Sequence, residues 1–270
     1  AFFGETIANP RINILDIAGV AGVAHEHNLP LIVDNTVASP YLLRPLEHGA
    51  DIVVHSATKF LGGHGTVIAG AIVDGEPDPS YHGASYTGVL GDPIAYIIKA
   101  RVQLLRDIGA AVSPDNAFGL IQGIETLSLR MERHCQNALA VAQWLEGHDQ
   151  VASVNYAALP SSPWHEAAAK YSPQGVGAVL SFEIKGGVDA GRALVDSVSL
   201  FSHVANIGDV RSLIVHPDSQ LSPEQQLTTG VTPGLVRLSV GLEHIEDILA
   251  DLESGFQAAK KVTAKSLQNA

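Results

Sequence analysis

Cysteine is nearly missing. Cys135 is the single one among 270 residues, so no disulfide can close within the chain. That usage fits a reducing compartment, and the cytoplasm is the expected location. Basic residues are scarce as well: 16 Lys and Arg stand against 28 Asp and Glu, a formal charge of -12. The balance argues against nucleic acid or an acidic lipid surface as the main partner. No apolar run reaches the roughly 18–20 residues of a membrane helix, and no secretion signal opens the chain. There is no Walker motif, no GxGxxG between a strand and a helix, and no HExxH or paired Cys/His set, so a nicotinamide fold loses ground and no metal is expected. An initiator Met is missing too, and AFFGETIANP reads like the inside of a domain. The expectation is a sequence that begins partway through a longer protein.

What is present is apolar and ordered. Hydrophobic residues make up 46% of the chain, enough for a full core in one large or two modest domains. Three short β-branched runs occur close together, at 31–33, 52–54 and 67–73. None alternates cleanly with polar residues, as befits strands buried on both faces. Phe2 and Phe3 end a further strand. A helix is predicted over 14–28 with Asn13 as its cap, and a short one over 42–48 that stops at Gly49. Strand, helix, strand in this order predicts α/β with a mostly parallel sheet.

Residues 75–93 are turn-rich, and 94–107 read as helix. Ser113-Pro114 opens a helix that runs to about Trp144, though Gly119 and Gly123 interrupt its pattern. Beyond it the style changes to α+β: strands at 151–155, 178–184 (alternating), 202–207 and 235–240, a loop at 156–176, and helices at 189–198 and 245–259. The expected boundary is near Pro114, giving units 1–113 and 114–270.

Polar residues cluster just past the first two buried runs, where open α/β sheets bind ligands. Lys59 follows the second run, flanked by Ser56, Thr58, Gly62 and Gly63. It reads either as a surface lysine on a loop or as an amine held for Schiff-base chemistry. Ser56 and Thr58 are either phosphate donors or turn hydroxyls bonded to local backbone. Asp34 ends the first run, and is either a turn aspartate or the partner of a protonated ring nitrogen. Taken together, an acid and an amine on neighbouring strand ends with hydroxyls between them describe pyridoxal phosphate. Arg237 lies inside the apolar strand VRLSVG, so it needs a partner: a substrate carboxylate or an internal salt bridge. Asp209 and Arg211 either pair with each other or line the cleft.

SATKFLGGHG, preceded by VDNT and followed by NIGDVRSL and VRLSVG, resembles the trans-sulfuration family of pyridoxal-phosphate enzymes over nearly the whole chain. The motifs are nearest the branch that acts as O-acetylhomoserine sulfhydrylase (homocysteine synthase). The resemblance implies an aspartate-aminotransferase-like (fold type I) large domain, N-terminally incomplete here, with a C-terminal α+β domain. It implies Lys59 as the lysine bound to the cofactor's aldehyde and as proton carrier, with Asp34 on the pyridine nitrogen. Ser56 and Thr58 fall to the phosphate, Asn9 lies near the phenolic oxygen, and Arg237 takes the substrate α-carboxylate. Asn206 stands where lyases of the family carry serine, which favours the sulfhydrylase branch. The implied reaction replaces the acetate of O-acetylhomoserine by sulfide to give L-homocysteine. Cystathionine γ-synthase or a methionine or cystathionine γ-lyase is the alternative, and an inactive, cofactor-free fragment a further one. A homotetramer built from dimers is implied.

Three departures accompany the likeness. The family's N-terminal segment, with a Gly-rich phosphate cradle, a stacking aromatic, and a tyrosine and arginine that reach the neighbour's site, has no counterpart here. The stretch after AIVDG and the one after VHP are each shorter than in the family. All three would border the pocket, so an empty or partly occupied cofactor site is the expectation.

Overall fold

The computed structural model describes residues 1–75, 95–217 and 231–268. Most of the turn-rich stretch at 75–93 therefore lies outside the described residues.

The first sheet has four strands in chain order: β1 (Phe2–Glu5), β2 (Leu31–Asp34), β3 (Ile52–Ser56) and β4 (Gly70–Asp74). The first three run parallel, with Gly4 opposite Val33 and Val33 opposite Val53. Helix α1 (Ile17–Glu26) makes the crossover from β1 to β2. The predicted Asn13 cap is not used. Ile14 is spent on a β-bridge with Ile7, so the helix cannot begin until Ile17, and Asp16 stands at its N-terminus without a side-chain cap bond. The 42–48 helix is two pieces, α2 (Ser39–Leu42) and a 3-10 turn at Pro45–His48. Gly49, at φ 100°, does end it. Strand β4 starts later than the apolar run suggested and pairs antiparallel to β3. The connection from Ser56 to Gly70 carries no helix, and a parallel return needs a long crossover.

The second sheet orders its strands β5 (Val151–Asn155), β6 (Val179–Ile184), β9 (Leu235–Ser239), β8 (Leu213–Val215) and β7 (Ser202–His203). Strand β6 does not alternate: five of its six residues are buried. Strand β7 is only two residues long where six were expected, and β8 was not foreseen as a strand. The predicted loop at 156–176 contains a helix, α5 (His165–Tyr171). Its Glu-Ala-Ala-Ala-Lys run has high helix propensity, which outweighs the polar turn residues around it. The helical turns at Ala95–Ile98 and Arg106–Ile108 flank a π-helical stretch, Lys99–Leu105.

Two helices replace the single long one. Helix α3 (Pro114–Glu125) opens on Ser113, whose hydroxyl accepts from the Asn116 amide at 3.2 Å. Helix α4 (Leu127–Glu146) follows after one irregular residue, Thr126. The break falls at Thr126, not at Gly119 or Gly123. Helices α6 (Gly187–Val195) and α7 (Ile245–Gln268) cover the second sheet, and the lysine-bearing tail after Ala259, readable as helix or as a frayed end, continues α7. Helix α4 joins the two sheets: Met131, Ala138 and Leu145 sit in one buried cluster with Val33 of β2, Phe182 of β6 and Phe256 of α7.

Candidate functional site

The site is assembled from strand ends. Strands β2 and β3 are parallel neighbours, so their carboxyl ends open on the same side, as in other open α/β sheets. Asp34 closes β2. One of its oxygens accepts from the Thr36 amide at 2.9 Å, the local turn bond. The Thr36 hydroxyl in turn accepts from the Ser56 amide at 2.8 Å, which ties the two strand ends together. Beyond β3 the chain winds through close turns: the Lys59 amide bonds to Ser56 O and the Gly63 amide to Lys59 O.

Lys59 is half-buried, and its amine donates to Asn206 Oδ1. Asn206 is 147 residues away in the sequence. Its own carbonyl accepts from Arg237 at 3.1 Å, and Arg237 also donates to Asn9 Oδ1 at 3.4 Å. So Lys59, Asn206, Arg237 and Asn9 form one connected set. Burial, and next the Arg237 charge, draw the Lys59 pKa below that of an ordinary lysine. A larger share of this amine is therefore neutral and nucleophilic.

Arg237 occupies the middle of β9 between the fully buried Val236 and Leu238. The internal salt bridge weighed for it is not found: among the described residues no carboxylate pairs with it, and its Nε is buried without a partner. Burial lowers its pKa. A desolvated guanidinium with an unused N–H is set to receive a carboxylate. Asp209 and Arg211 do pair, at 3.3 Å, and the Arg211 amide also bonds Asp209.

The two hydroxyls differ. Thr58 donates to Ala69 O at 3.2 Å and accepts from the Ala69 amide at 3.0 Å, so its hydroxyl is engaged locally. The Ser56 hydroxyl makes no hydrogen bond among the described residues. No group of three His, Cys, Asp or Glu side chains suited to a metal is found among them either.

Two contributors went unnoticed in the sequence. Gly208, at φ 77°, brings the Asn206 loop against Lys59: a Cβ there would lie 2.8 Å from Phe60 N and 2.9 Å from Lys59 Cβ. Only glycine tolerates both the conformation and the approach. Arg130 is the other. It is 5% exposed on α4, on the apolar face with Met131 and His134. A lone cation inside an apolar helical stripe was the signal to look for.

These residues suit pyridoxal phosphate. A depressed amine answers an aldehyde, an acid at the adjoining strand end answers a ring nitrogen, and the unpartnered Arg237 Nε answers a substrate carboxylate. Comparison with known proteins agrees. The chain is 52% identical to an O-acetyl-L-homoserine sulfhydrylase of Leptospira meyeri over 95% of its length, covering 64% of that protein. It is 49% identical to another of that name from Corynebacterium glutamicum, with 96% and 64% covered. The chain thus spans just under two thirds of the length of these relatives. A crystal structure of an O-acetylhomoserine (thiol)-lyase from Campylobacter jejuni, carrying N'-pyridoxyl-lysine-5'-monophosphate, superposes with a TM-score of 0.86 at 39% identity, over 94% of this chain and 65% of that one. The family defined as Cys/Met metabolism PLP-dependent enzymes matches residues 1–257, and the chain belongs to it.

Proposed function

We propose that the full-length protein is an O-acetylhomoserine sulfhydrylase, which replaces the acetate of O-acetyl-L-homoserine by sulfide and releases L-homocysteine and acetate. The observation that carries this is the joined set of Lys59 amine, Asn206 and Arg237. It puts a proton carrier and a carboxylate grip on one residue's two ends.

Bound here, pyridoxal phosphate would supply the sink for the electron pair left on a substrate carbon. Lys59 would hold its aldehyde, and Lys59 Nζ is the group placed to take the α-carbon proton of the substrate. Its lowered pKa suits that task. Asn206 Oδ1 accepts from Nζ and so aims the amine. The Asn206 amide does not ionise near neutral pH, so it orients the amine without exchanging a proton, which leaves the proton transfers to Lys59. Arg237 grips the α-carboxylate through its fork and fixes the substrate's orientation. Asp34 would keep the ring nitrogen protonated. Ser56 would hold the phosphate, joined by Thr58 on release of Ala69, and Asn9 would face the phenolic oxygen. In this reading residues 1–113 carry the cofactor and 114–270 supply the substrate side. We place the protein in the cytoplasm as a homotetramer; among the described residues no helix is long and apolar enough to cross a membrane.

The test is Lys59→Ala in the full-length protein. Both the lysine-linked absorbance band and homocysteine formation vanish; near-normal turnover defeats the assignment. Wild-type protein given cystathionine or methionine without sulfide stays nearly inactive, whereas brisk γ-elimination would make it a lyase.

A further inference from the structure

Among the described residues, Arg130 is a buried cation with no acid paired to it. Its guanidinium donates to Phe60 O at 2.8 Å, Leu61 O at 3.4 Å and Gly123 O at 2.5 Å, and its Nε donates to the Thr126 hydroxyl at 3.2 Å. Burial lowers its pKa, and no carboxylate among the described residues offsets the charge. Four of its five N–H donors are accounted for in this way. The acceptors come from two places only. Phe60 and Leu61 directly follow Lys59. Gly123 and Thr126 lie where α3 breaks before α4, and Gly123 O is among the last carbonyls of α3, which carry the negative end of its dipole.

The seam is tight on both sides. A Cβ on Gly63 would meet Arg130 Nη1 at 2.1 Å, and one on Gly123 would meet Gly62 O at 2.4 Å and Leu61 O at 2.5 Å. The opposite flank of the same turn is pressed by Gly208, and Val210 donates to Gly63 O at 2.8 Å. So the turn that carries Lys59 is gripped between the α3–α4 break and the Asn206 loop.

We propose that Arg130 is a positioning residue for Lys59, clamping the carbonyls just after it so that the amine stays beside Asn206 and Arg237. This rests on the reading that Lys59 binds the cofactor. Arg130 itself touches neither the amine nor the substrate. Lysine in its place keeps the charge but lacks the planar fork needed to hold both segments at once. Without the clamp, the amine gains freedom and solvent, and its protonation behaviour moves with its surroundings.

The experiment uses the full-length protein loaded with pyridoxal phosphate, as wild type, R130M, R130K and G123A. The last pushes on the 61–62 carbonyls from the α3 end of the same seam while leaving the Arg130 side chain in place. Folding is followed by circular dichroism, and the lysine-linked absorbance band is titrated with pH. Expected is a shift of about half a pH unit or more in the band's midpoint for R130M and G123A. kcat falls about tenfold or more while KM changes little, as loss of positioning requires. R130K recovers part of both. A purely structural role predicts fewer folded molecules, each with the wild-type midpoint. Folded R130M and G123A with wild-type midpoint and kcat overturn the proposal. If R130M does not fold, R130K and G123A decide by the same criterion. A wild-type protein with no lysine-linked band at all would instead sink the functional reading, and this inference with it.

Discussion

At the scale of single residues, the chemistry rests on a short chain of contacts. Asn206 touches Lys59 with its side chain and Arg237 with its carbonyl. The Arg237 cation is one of two causes of the depressed Lys59 pKa, the second after burial. The sign follows: a nearby positive charge disfavours the ammonium, so its removal lets the amine hold its proton to higher pH. Arg237→Gln therefore raises the Lys59 pKa, which pH-dependent labelling of the cofactor-free protein reads directly. The same change removes the carboxylate grip proposed for Arg237, with an expected cost of about 2 kcal/mol, roughly thirtyfold in kcat/KM. An unaltered labelling profile would show that the two cations do not interact. Lys59, Asp34 and Arg237 stood out in the sequence because each follows or interrupts an apolar run. Arg130 and Gly208 did not, because their reasons are neighbours far along the chain: Phe60 lies 70 residues from Arg130.

Among the elements, α4 does more than link. Three polar residues on its buried face hold backbone from elsewhere: Arg130 the Lys59 turn, His134 the Val240 carbonyl at 2.7 Å, and Asn137 the carbonyls of Gly241 and Glu243, both at 2.9 Å. Val240 and Gly241 follow β9, the strand of Arg237, so one helix face indexes both halves of the site. His134 is fully buried, and burial pulls its pKa down to about 4 from 6.5. The folded state thus binds fewer protons than the unfolded chain between those values. Stability is complete above 6.5 and is lost as pH falls toward 4, by on the order of 3 kcal/mol. Denaturant unfolding at pH 7 and pH 4.5 measures this. His134→Gln flattens the difference, and an equally steep wild-type and variant profile would assign the acid loss elsewhere. Element types were largely legible, since β-branched runs and 3.6-residue periodicity are local signals. Ends and breaks were not: the bridge of Ile14 with Ile7 and the break at Thr126 are set by partners outside the local window.

On the scale of the whole molecule, two sheets share one core through α4, and some apolar surface is left outside it. Phe118, Ile121 and Ile124 form a stripe on α3, exposed by 63, 57 and 49%. An exposed apolar stripe of this kind is a candidate contact surface. If the proposed homotetramer uses it, Phe118→Asp in the full-length protein shifts sedimentation toward smaller species, and an unchanged tetramer places the interface elsewhere. What the amino-acid order determined unaided was the buried strands, their alternation with helices, and the polar residues placed at strand ends, because propensity and hydrophobic patterning act between near neighbours. What tertiary structure alone decided was that Asn206 would meet Lys59 across 147 residues and that Arg130 would find carbonyls in place of a carboxylate. A buried charge must be answered by whatever the packing brings to it, and no short window of sequence states what that is.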